Sequence, residues 1–278
     1  MMAEHPAPAG NHEELLATQR RIWTIGDYPA VARQLLPVSE ALVGAVGLGG
    51  DADVLDVGVG NGNTAVLAAK AGARVVGVDI TPAQLEHARA RCRAEGVDVD
   101  LREADAEALP FDDGSFDFVV SVFGVIFAPG ATRATEELAR VCRPGGTVAM
   151  TAWLQGGWSG RFWSRVPHLA PPPVPGAARP EEWGDASIAT GRFRAAGLEP
   201  SVEERPFYWE YGSVEEARSF LLRASGPFMA VREHAAMTGR ADEVDAALGD
   251  AFAEANEAVD GTCRVPAPWL LVVGRRAA

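Results

Sequence analysis

Residues 54–64 read Val54-Leu55-Asp56-Val57-Gly58-Val59-Gly60-Asn61-Gly62-Asn63-Thr64. A short apolar run enters a loop with glycine at every second position, and the segment from Thr64 to Lys70 has helical composition. This order predicts a strand, a tight turn and a helix. Because glycine lacks a Cβ atom, the loop can turn sharply and lie against a ligand, while the new helix presents free N–H groups. The stretch therefore predicts a binding site for a flat or polar ligand.

A carboxylate at the end of the next apolar run narrows the choice of ligand. The run from Arg74 to Asp79 ends about 20 residues beyond the first glycine, where a nucleotide-binding βαβ unit has its ribose-binding acid. An ionised Asp79 can accept hydrogen bonds from both ribose hydroxyls. The glycine spacing is Gly58-x-Gly60-x-Gly62, whereas the dinucleotide fingerprint is G-x-G-x-x-G. This spacing favours a ligand without a diphosphate and disfavours a nicotinamide-dependent oxidoreductase.

The chain carries five motifs in a recognisable order. They are Val54-Leu55-Asp56-Val57-Gly58-Val59-Gly60-Asn61-Gly62, Val76-Gly77-Val78-Asp79-Ile80, Ala104-Asp105-Ala106-Glu107-Ala108-Leu109-Pro110-Phe111, Ser115-Phe116-Asp117 and Arg143-Pro144-Gly145-Gly146. Together they resemble the successive motifs of class I S-adenosylmethionine (SAM) methyltransferases. Within that superfamily they look closest to the small-molecule branch that includes the ubiquinone/menaquinone-biosynthesis methyltransferases. The resemblance spans roughly residues 20 to 153.

This resemblance implies a fold and a cofactor. The fold class is α/β, a Rossmann-like sheet of seven strands, mostly parallel with an antiparallel last strand, under an N-terminal helical lid and helical insertions. SAM is the implied cofactor and S-adenosylhomocysteine (SAH) the implied product. The implied division is 1–48 for the N-terminal tail and lid, 49–153 for the SAM-binding core, and 154–278 for completion of the sheet, with substrate-covering insertions at 154–185 and 212–262.

The resemblance also implies cofactor contacts. Asp105 and Ala106 stand where related enzymes hold adenine with a carboxylate to the exocyclic amine and a neighbouring backbone N–H, and Ile80 is placed to pack on the ring. Thr81-Pro82-Ala83-Gln84 reads as a capping box that starts a helix directly beside Asp79. The predicted cofactor-binding residues are Trp23, Asp56, Gly58, Gly60, Asn61, Gly62, Asp79, Ile80, Gln84, Asp105, Ala106 and Ser121.

Aromatic residues on either side of the core admit two interpretations each. Trp23 and Tyr28 either pack against the domain or form an aromatic lid, where a sulfonium cation would gain about 0.5–2 kcal/mol. Phe123, Ile126 and Phe127 follow the fourth predicted strand and either face the transferred methyl group or belong to the core. DNA and protein amide methyltransferases usually carry an Asn/Asp/Ser-Pro-Pro-Tyr/Phe sequence here, and this chain does not. An apolar or aromatic small-molecule acceptor is therefore favoured.

The sequence assigns no catalytic base and no metal ligand. A sulfonium methyl is already activated, so positioning the acceptor is the main requirement. The candidate bases all lie in the variable cover and outside any motif; they are His168, Glu181, Glu182, Tyr208, Glu210, Tyr211 and His234. No paired acids follow the fourth strand to hold Mg²⁺, which disfavours a metal-dependent catechol-type enzyme.

Composition sets the outer limits. The 278 residues are 47% hydrophobic, enough for one α/β domain with insertions, and the net charge of −13 would repel a nucleic acid. No run approaches the ~18 apolar residues needed to span a bilayer, and Glu13 and Glu14 stand where a signal peptide would be apolar. We therefore expect a cytoplasmic protein with a small-molecule substrate and no nucleic-acid or membrane partner, with homo-oligomer formation left open.

The segments outside the core have weaker signals. Met1–Asn11 is predicted to be disordered, and apolar spacing predicts one helix through Val31–Val46. Ser201–Glu210 is predicted as strand six and Ala267–Val273 as strand seven. A long helical insertion is predicted from Ser213 to about Val259.

Two functional classes share all of these motifs. The favoured class is a SAM-dependent methyltransferase that transfers a methyl group by in-line displacement to C, O or N of a small apolar or aromatic metabolite of biosynthetic or secondary metabolism. The alternative is a methyltransferase-fold protein that binds SAM without methyl transfer or uses it for another reaction. SAH release with a panel of acceptors separates the two.

Overall fold

The computed structural model describes residues 9–172 and 177–278. The strands are β1 (Asp53–Val57), β2 (Arg74–Asp79), β3 (Asp100–Glu103), β4 (Phe116–Val122), β5 (Cys142–Trp153), β6 (Leu198–Arg205), β7 (Tyr208–Tyr211), β8 (Cys263–Pro266) and β9 (Trp269–Arg276). The helices are α1 (Ala9–Thr24), α2 (Tyr28–Gln34), α3 (Leu36–Val46), α4 (Asn63–Lys70), α5 (Pro82–Glu95), α6 (Ala131–Val141), α7 (Trp158–Arg165), α8 (Ala186–Ala195), α9 (Val214–Ala224), α10 (Gly226–Ala236) and α11 (Ala241–Ala255). Short 3₁₀ turns cover Val125–Phe127 and Pro180–Gly184.

Seven strands form one sheet in the order β3-β2-β1-β4-β5-β9-β6. Strands β1 to β5 pair in parallel, and β9 pairs antiparallel with both β5 and β6. The predicted α/β sheet, mostly parallel with an antiparallel last strand, is confirmed. The strand order reverses between β1 and β4, and ligands of such sheets bind beyond the carboxyl ends of the strands at that point.

Helices cover the sheet in two groups. Helices α3, α4 and α5 pack beside one another, and α6 and α8 pack together as a second group. Residues Val54 to Val57 of β1 are at most 2% exposed. This near-continuous burial is typical of a parallel strand covered on both faces. The core therefore fixes the end of β1, where the glycine loop begins.

The predicted strand six, Ser201–Glu210, is wrong in its extent. β6 ends at Arg205, and β7 pairs instead with β8 in a separate two-stranded sheet. Pro206 lies between β6 and β7, and proline has no N–H group to donate to a ladder. The last strand starts at Trp269, later than the predicted Ala267.

Prolines also divide the predicted helices. The single helix predicted through Val31–Val46 consists of α2 and α3, which meet at Leu35 just before Pro37. The insertion predicted as one long helical segment consists of α9, α10 and α11, with Pro227 in the first turn of α10. A proline is tolerated in the first turn of a helix but not in its interior, which explains both divisions.

Two predicted segments lie partly outside the described residues. The tail predicted as disordered over Met1–Asn11 is described from Ala9, where α1 already begins. The proline-rich segment 170–176 is described as far as Pro172. Within the described ranges, none of the helices is long and apolar enough to cross a membrane. The cysteines Cys92, Cys142 and Cys263 are buried free thiols.

Candidate cofactor and acceptor site

A cavity lies beyond the carboxyl ends of β1, β2 and β4 and is bordered by α1 and the start of α2. Its empty space is about 690 Å³, counting the part open to solvent. Residues lining this main cavity are Leu16, Gln19, Trp23, Tyr28, Val57, Gly58, Gly60, Asp79, Ile80, Gln84, Ala104, Asp105, Ala106, Phe123, Gly124, Val125, Phe127, Ala128 and Pro129. The fold thus brings together eight predicted cofactor residues, namely Trp23, Gly58, Gly60, Asp79, Ile80, Gln84, Asp105 and Ala106.

The glycine loop turns so tightly that two of its glycines leave little room for a side chain. Gly58 and Gly60 have φ angles of 71° and 53°. A Cβ atom at Gly58 would lie 2.8 Å from the Cα atom of Gly124, and one at Gly60 would lie 3.2 Å from Cε1 of Tyr28. Gly62, with a φ of 84°, is the N-cap of α4 and lines neither cavity described here. Gly58 and Gly60 therefore form the cavity wall, whereas Gly62 starts the helix.

Asp79 ends β2 with its carboxylate held by two backbone N–H groups. The N–H of Gly60 donates to Oδ2 at 3.0 Å, and the N–H of Thr81 donates to Oδ1 at 2.9 Å. Burial raises the pKa of Asp79, and these two N–H groups oppose that rise. The carboxylate joins the glycine turn to the start of α5 and lines the cavity, which is the position of a ribose-binding acid in this type of sheet.

The capping box predicted at Thr81–Gln84 is wrong. Thr81 forms no side-chain cap on α5, and Nε2 of Gln84 donates instead to the backbone oxygen of Trp23 at 2.8 Å. Gln84 is 3% exposed, and its Oε1 has no hydrogen-bond partner. Gln84 therefore fastens the end of α1 over the cavity and keeps one unpaired acceptor at the cavity wall.

A second, smaller cavity adjoins the main cavity at Tyr28, Gly58 and Gly60. Its lining residues are Tyr28, Ala32, Leu35, Ser39, Asp56, Gly58, Val59, Gly60, Asn61, Asn63, Thr64 and Val122, which include the predicted residues Asp56 and Asn61. Asp56 is 2% exposed, and its Oδ2 has no hydrogen-bond partner. Burial raises the pKa of Asp56 to about 7, against the N–H of Ala65. A buried carboxylate oxygen without a partner is costly unless a ligand pairs with it.

Ser121 lies behind the cavity wall. Its buried Oγ donates to the backbone oxygen of Val57 at 2.6 Å and accepts from the N–H of Val125 at 2.9 Å. It lines neither cavity. These two bonds join the end of β1 to the turn after β4, so that Ser121 shapes the wall from behind.

Trp23 and Tyr28 both line the main cavity. The Trp23 ring meets Tyr28 edge-on at a centroid distance of 5.7 Å and Phe127 at 4.7 Å. Burial, with the charges of Asp79 and Asp56, raises the pKa of Tyr28, so its hydroxyl stays protonated at neutral pH. The rings pack on each other and line the cavity, and the lid interpretation stays a prediction.

Phe123 has an unusual backbone conformation at the end of β4. Its φ is 52°, a region that costs a residue with a Cβ atom about 1–2 kcal/mol. The ring stacks on Trp153 at a centroid distance of 3.9 Å, and the N–H donates to Oγ1 of Thr151 at 3.0 Å. Phe123 and Phe127 line the cavity, whereas Ile126 is 1% exposed and belongs to the core. Phe123 and Phe127 thus add an aromatic surface to the cavity wall.

The charged groups of the main cavity have one sign. Among its described lining residues, Asp79 and Asp105 are the charged side chains. The predicted base candidates line neither cavity; they are His168, Glu181, Glu182, Tyr208, Glu210, Tyr211 and His234. An acidic, partly aromatic cavity suits a cation or a neutral planar molecule better than an anion.

Two lining residues on α1, Leu16 and Gln19, were not predicted from the sequence. Leu16, Gln19 and Trp23 follow one another at spacings of three and four residues, which places them on one face of a helix, and all three line the cavity. This periodicity is present in the sequence. Its connection with the cavity depends on the position of α1, which the sequence does not give.

Comparison with known sequences agrees with this geometry. The sequence model of the family described as "Methyltransferase domain" matches residues 54–146. The uncharacterized protein Rv1403c of Mycobacterium tuberculosis is 42% identical over 222 residues, which cover 79% of this chain and 81% of that protein. The demethylmenaquinone methyltransferase of Thermus thermophilus is 41% identical over 99 residues, which cover 35% of this chain and 45% of that enzyme.

Comparison with solved structures gives the same fold. The YcgJ protein of Bacillus subtilis superposes with a TM-score of 0.60 at 20% identity, covering 86% of this chain and 98% of that chain. The sheet order and the glycine turn with its acid define the Rossmann-like class of α/β folds. The chain belongs to the class I SAM-dependent methyltransferase family, with a menaquinone methyltransferase among its relatives as the sequence motifs predicted.

Proposed function

We propose that this protein binds SAM and transfers its methyl group to a small apolar or aromatic acceptor. One observation carries the proposal: acids that match the polar groups of SAM line two adjoining cavities together with aromatic rings. The acids are Asp56, Asp79 and Asp105, and the aromatic residues are Trp23, Tyr28, Phe123 and Phe127.

The residues present fit SAM by charge and by space. The unpaired Oδ2 of Asp56 suits the α-ammonium group, because an opposite charge stabilises a buried carboxylate. Asp79 would accept from the ribose hydroxyls, and Asp105 from the amine of adenine. Gly58 and Gly60 line the cavity with backbone alone, because a Cβ atom at either position would meet protein atoms of the cavity wall. Bound there, SAM supplies a methyl group that is already activated for transfer.

The remaining steps belong to the protein and the acceptor. Holding an acceptor at near-attack distance contributes about 7–11 kcal/mol. The rings of Trp23 and Phe127 would hold a planar acceptor and exclude water, and the protonated hydroxyl of Tyr28 would donate a hydrogen bond. The relative named demethylmenaquinone methyltransferase supports a small-molecule acceptor of this kind.

We further propose that residues 1–48 act as the tail and lid, 49–153 as the SAM-binding core, and 154–278 as the completed sheet with covering insertions at 154–185 and 212–262. Contacts between α10 and α1 and between α9 and α2 support a covering role for the second insertion. The packing is tight, since a Cβ atom at Gly226 would lie 1.9 Å from the backbone oxygen of Ile22. The insertion therefore holds the lid from outside.

The test is calorimetric titration with SAM, SAH and NAD⁺. We expect the wild-type protein to bind SAM and SAH and not NAD⁺. Asp79→Ala should weaken SAM binding by at least about tenfold, because the ribose loses a charged acceptor. The matched control is Asp100→Ala, which removes a carboxylate of the neighbouring strand β3 that pairs with Arg102 and lies outside the cavity.

Each outcome has a distinct meaning. Binding of NAD⁺ alone would contradict the proposal. Equal SAM affinities of Asp79→Ala and Asp100→Ala would show that the ribose does not bind at Asp79. Release of SAH with a neutral aromatic acceptor would establish transfer. Binding of SAM with no release of SAH across the acceptor panel would instead identify a protein that binds SAM without methyl transfer.

A further inference from the structure

Helix α1 is fastened to the cavity wall at three points, and each partner is a predicted cofactor residue. His12 contacts Asp105, Nε of Arg20 donates to the backbone oxygen of Ile80 at 3.0 Å, and Gln84 donates to the last turn of α1. His12 lies one turn before Leu16, on the same helix face as the residues that line the cavity. The lid is therefore held by the residues that would hold the cofactor.

The His12 contact differs from the others because its partner is the predicted adenine acceptor. Nε2 of His12 lies 2.8 Å from Oδ2 of Asp105, and Nδ1 lies 3.8 Å from Oε2 of Glu107. The other oxygen of Asp105, Oδ1, accepts from the N–H of Glu107 at 2.9 Å. Both oxygens of the Asp105 carboxylate thus have partners, which fix the plane of the group.

His12 contacts this carboxylate without lining the cavity. Asp105 is one of the lining residues of the main cavity and His12 is not. The histidine therefore does not fill the space that a ligand would take. Each carboxylate oxygen can accept more than one hydrogen bond, so Oδ2 can accept from His12 and from a ligand at the same time.

We propose that His12 is a positioning residue that holds the Asp105 carboxylate as an acceptor and so makes the cavity selective for a base with a 6-amino group. This inference rests on the proposed function. A carboxylate can only accept, so it pairs with the amine of adenine and repels the 6-oxo group of hypoxanthine. A carboxylate free to turn away would lose both the attraction and the repulsion, and the selectivity would fall with it.

The test compares the affinities of SAH and its 6-oxo analogue, S-inosylhomocysteine, by calorimetric titration. The wild-type protein should prefer SAH by about 100-fold or more, since a site built to bind an N–H group strongly rejects an analogue without one. His12→Ala should lower the ratio of the two dissociation constants by about tenfold. His12→Gln has an amide that can donate in place of the ring N–H and should restore most of the ratio.

The matched control is His87→Ala, which removes an exposed histidine from α5 and should leave the ratio unchanged. A wild-type ratio in His12→Ala would overturn the inference even if both ligands bound more weakly, because general damage to α1 weakens both alike. Failure of the wild-type protein to bind SAH would overturn the proposed function and this inference with it. The two failures are therefore distinguishable.

Discussion

Asp56 shows how a single buried acid prepares the site for a cation. Its Oδ2 is unpaired, and its pKa is raised to about 7 by burial. In the unfolded chain this carboxyl has its ordinary pKa of 3.8. Between pH values of about 4 and 7 the folded protein without ligand therefore keeps a proton that the unfolded chain has lost. The stability contributed by this protonation is present at low pH and is lost as pH rises from about 4 to 7. Asp56 thus costs the unligated protein stability at neutral pH.

The same acid predicts that binding of SAM releases a proton. An α-ammonium group beside Asp56 favours the carboxylate, so the proton held by the free protein must leave. At pH 6 we expect about one proton released per SAM bound, falling to about a quarter at pH 7.5. Titration calorimetry in two buffers of different protonation enthalpy measures this number. A release that does not change between the two pH values would contradict the assignment of Asp56.

The sequence could predict contacts between residues that are close together in the chain. Asp79 follows the glycines at a fixed spacing, and its carboxylate indeed bonds to the N–H of Gly60. The capping role predicted for Gln84 was wrong because its amide donates to Trp23, which lies on a helix far away in the chain. The contact of His12 with Asp105 could not be foreseen for the same reason, since it depends on how α1 lies across the sheet.

At the level of elements, the backbone of the glycine turn packs directly against the backbone of the turn after β4. Gly58→Ala would bring a Cβ atom 2.8 Å from the Cα atom of Gly124, in the turn after β4, and neither backbone can move without displacing a central strand. Gly96 is the matched control, because its φ of 67° is similar and a Cβ atom there would meet nothing within 4 Å. Gly96→Ala therefore reports the cost of the left-handed conformation alone.

We expect Gly58→Ala to lower the free energy of unfolding by about 2–4 kcal/mol and Gly96→Ala by about 1 kcal/mol. Urea denaturation measures both values. Equal losses in the two variants would mean that the turn relaxes away from Gly124. The same clash would also move the end of β1, so SAM binding should weaken in Gly58→Ala only.

The order of the sheet strands was predictable, and the limits of the elements were not. Apolar runs separated by a helix at each step predict parallel strands, and the resemblance carried by five motifs implied the seven-stranded sheet with an antiparallel last strand. Pro206 and Pro37 shifted the limits of two predicted elements. Each proline lacks an N–H group, so a strand or helix that the apolar pattern would continue ends near it. The small sheet of β7 and β8 depends on a pairing between residues that lie over fifty positions apart, as Tyr208 with Pro266. Such a pairing leaves no local pattern.

For the molecule as a whole, the lid predicts where a ligand changes local stability. α1 contacts the core through side chains that also line or border the cavity, so bound SAH should add contacts to α1 and slow its opening. We expect slower amide hydrogen exchange in α1 when SAH is saturating. Helix α8 contributes no lining residue and should exchange at the same rate with and without SAH. Unchanged exchange in α1 at saturation would show that the ligand does not contact the lid.

The stacked pair of Phe123 and Trp153 determines how small a working fragment of this protein can be. The matched family region ends at residue 146, and every described lining residue of the main cavity precedes residue 130. Trp153 lies beyond that region, and its ring rests on Phe207 and Trp209 at centroid distances of 6.0 and 6.1 Å. Cutting the chain after the matched region would remove the ring that holds Phe123 in its strained conformation. The cavity wall thus depends on Trp153, Phe207 and Trp209, in a part of the chain that contributes no residue to the cavity lining.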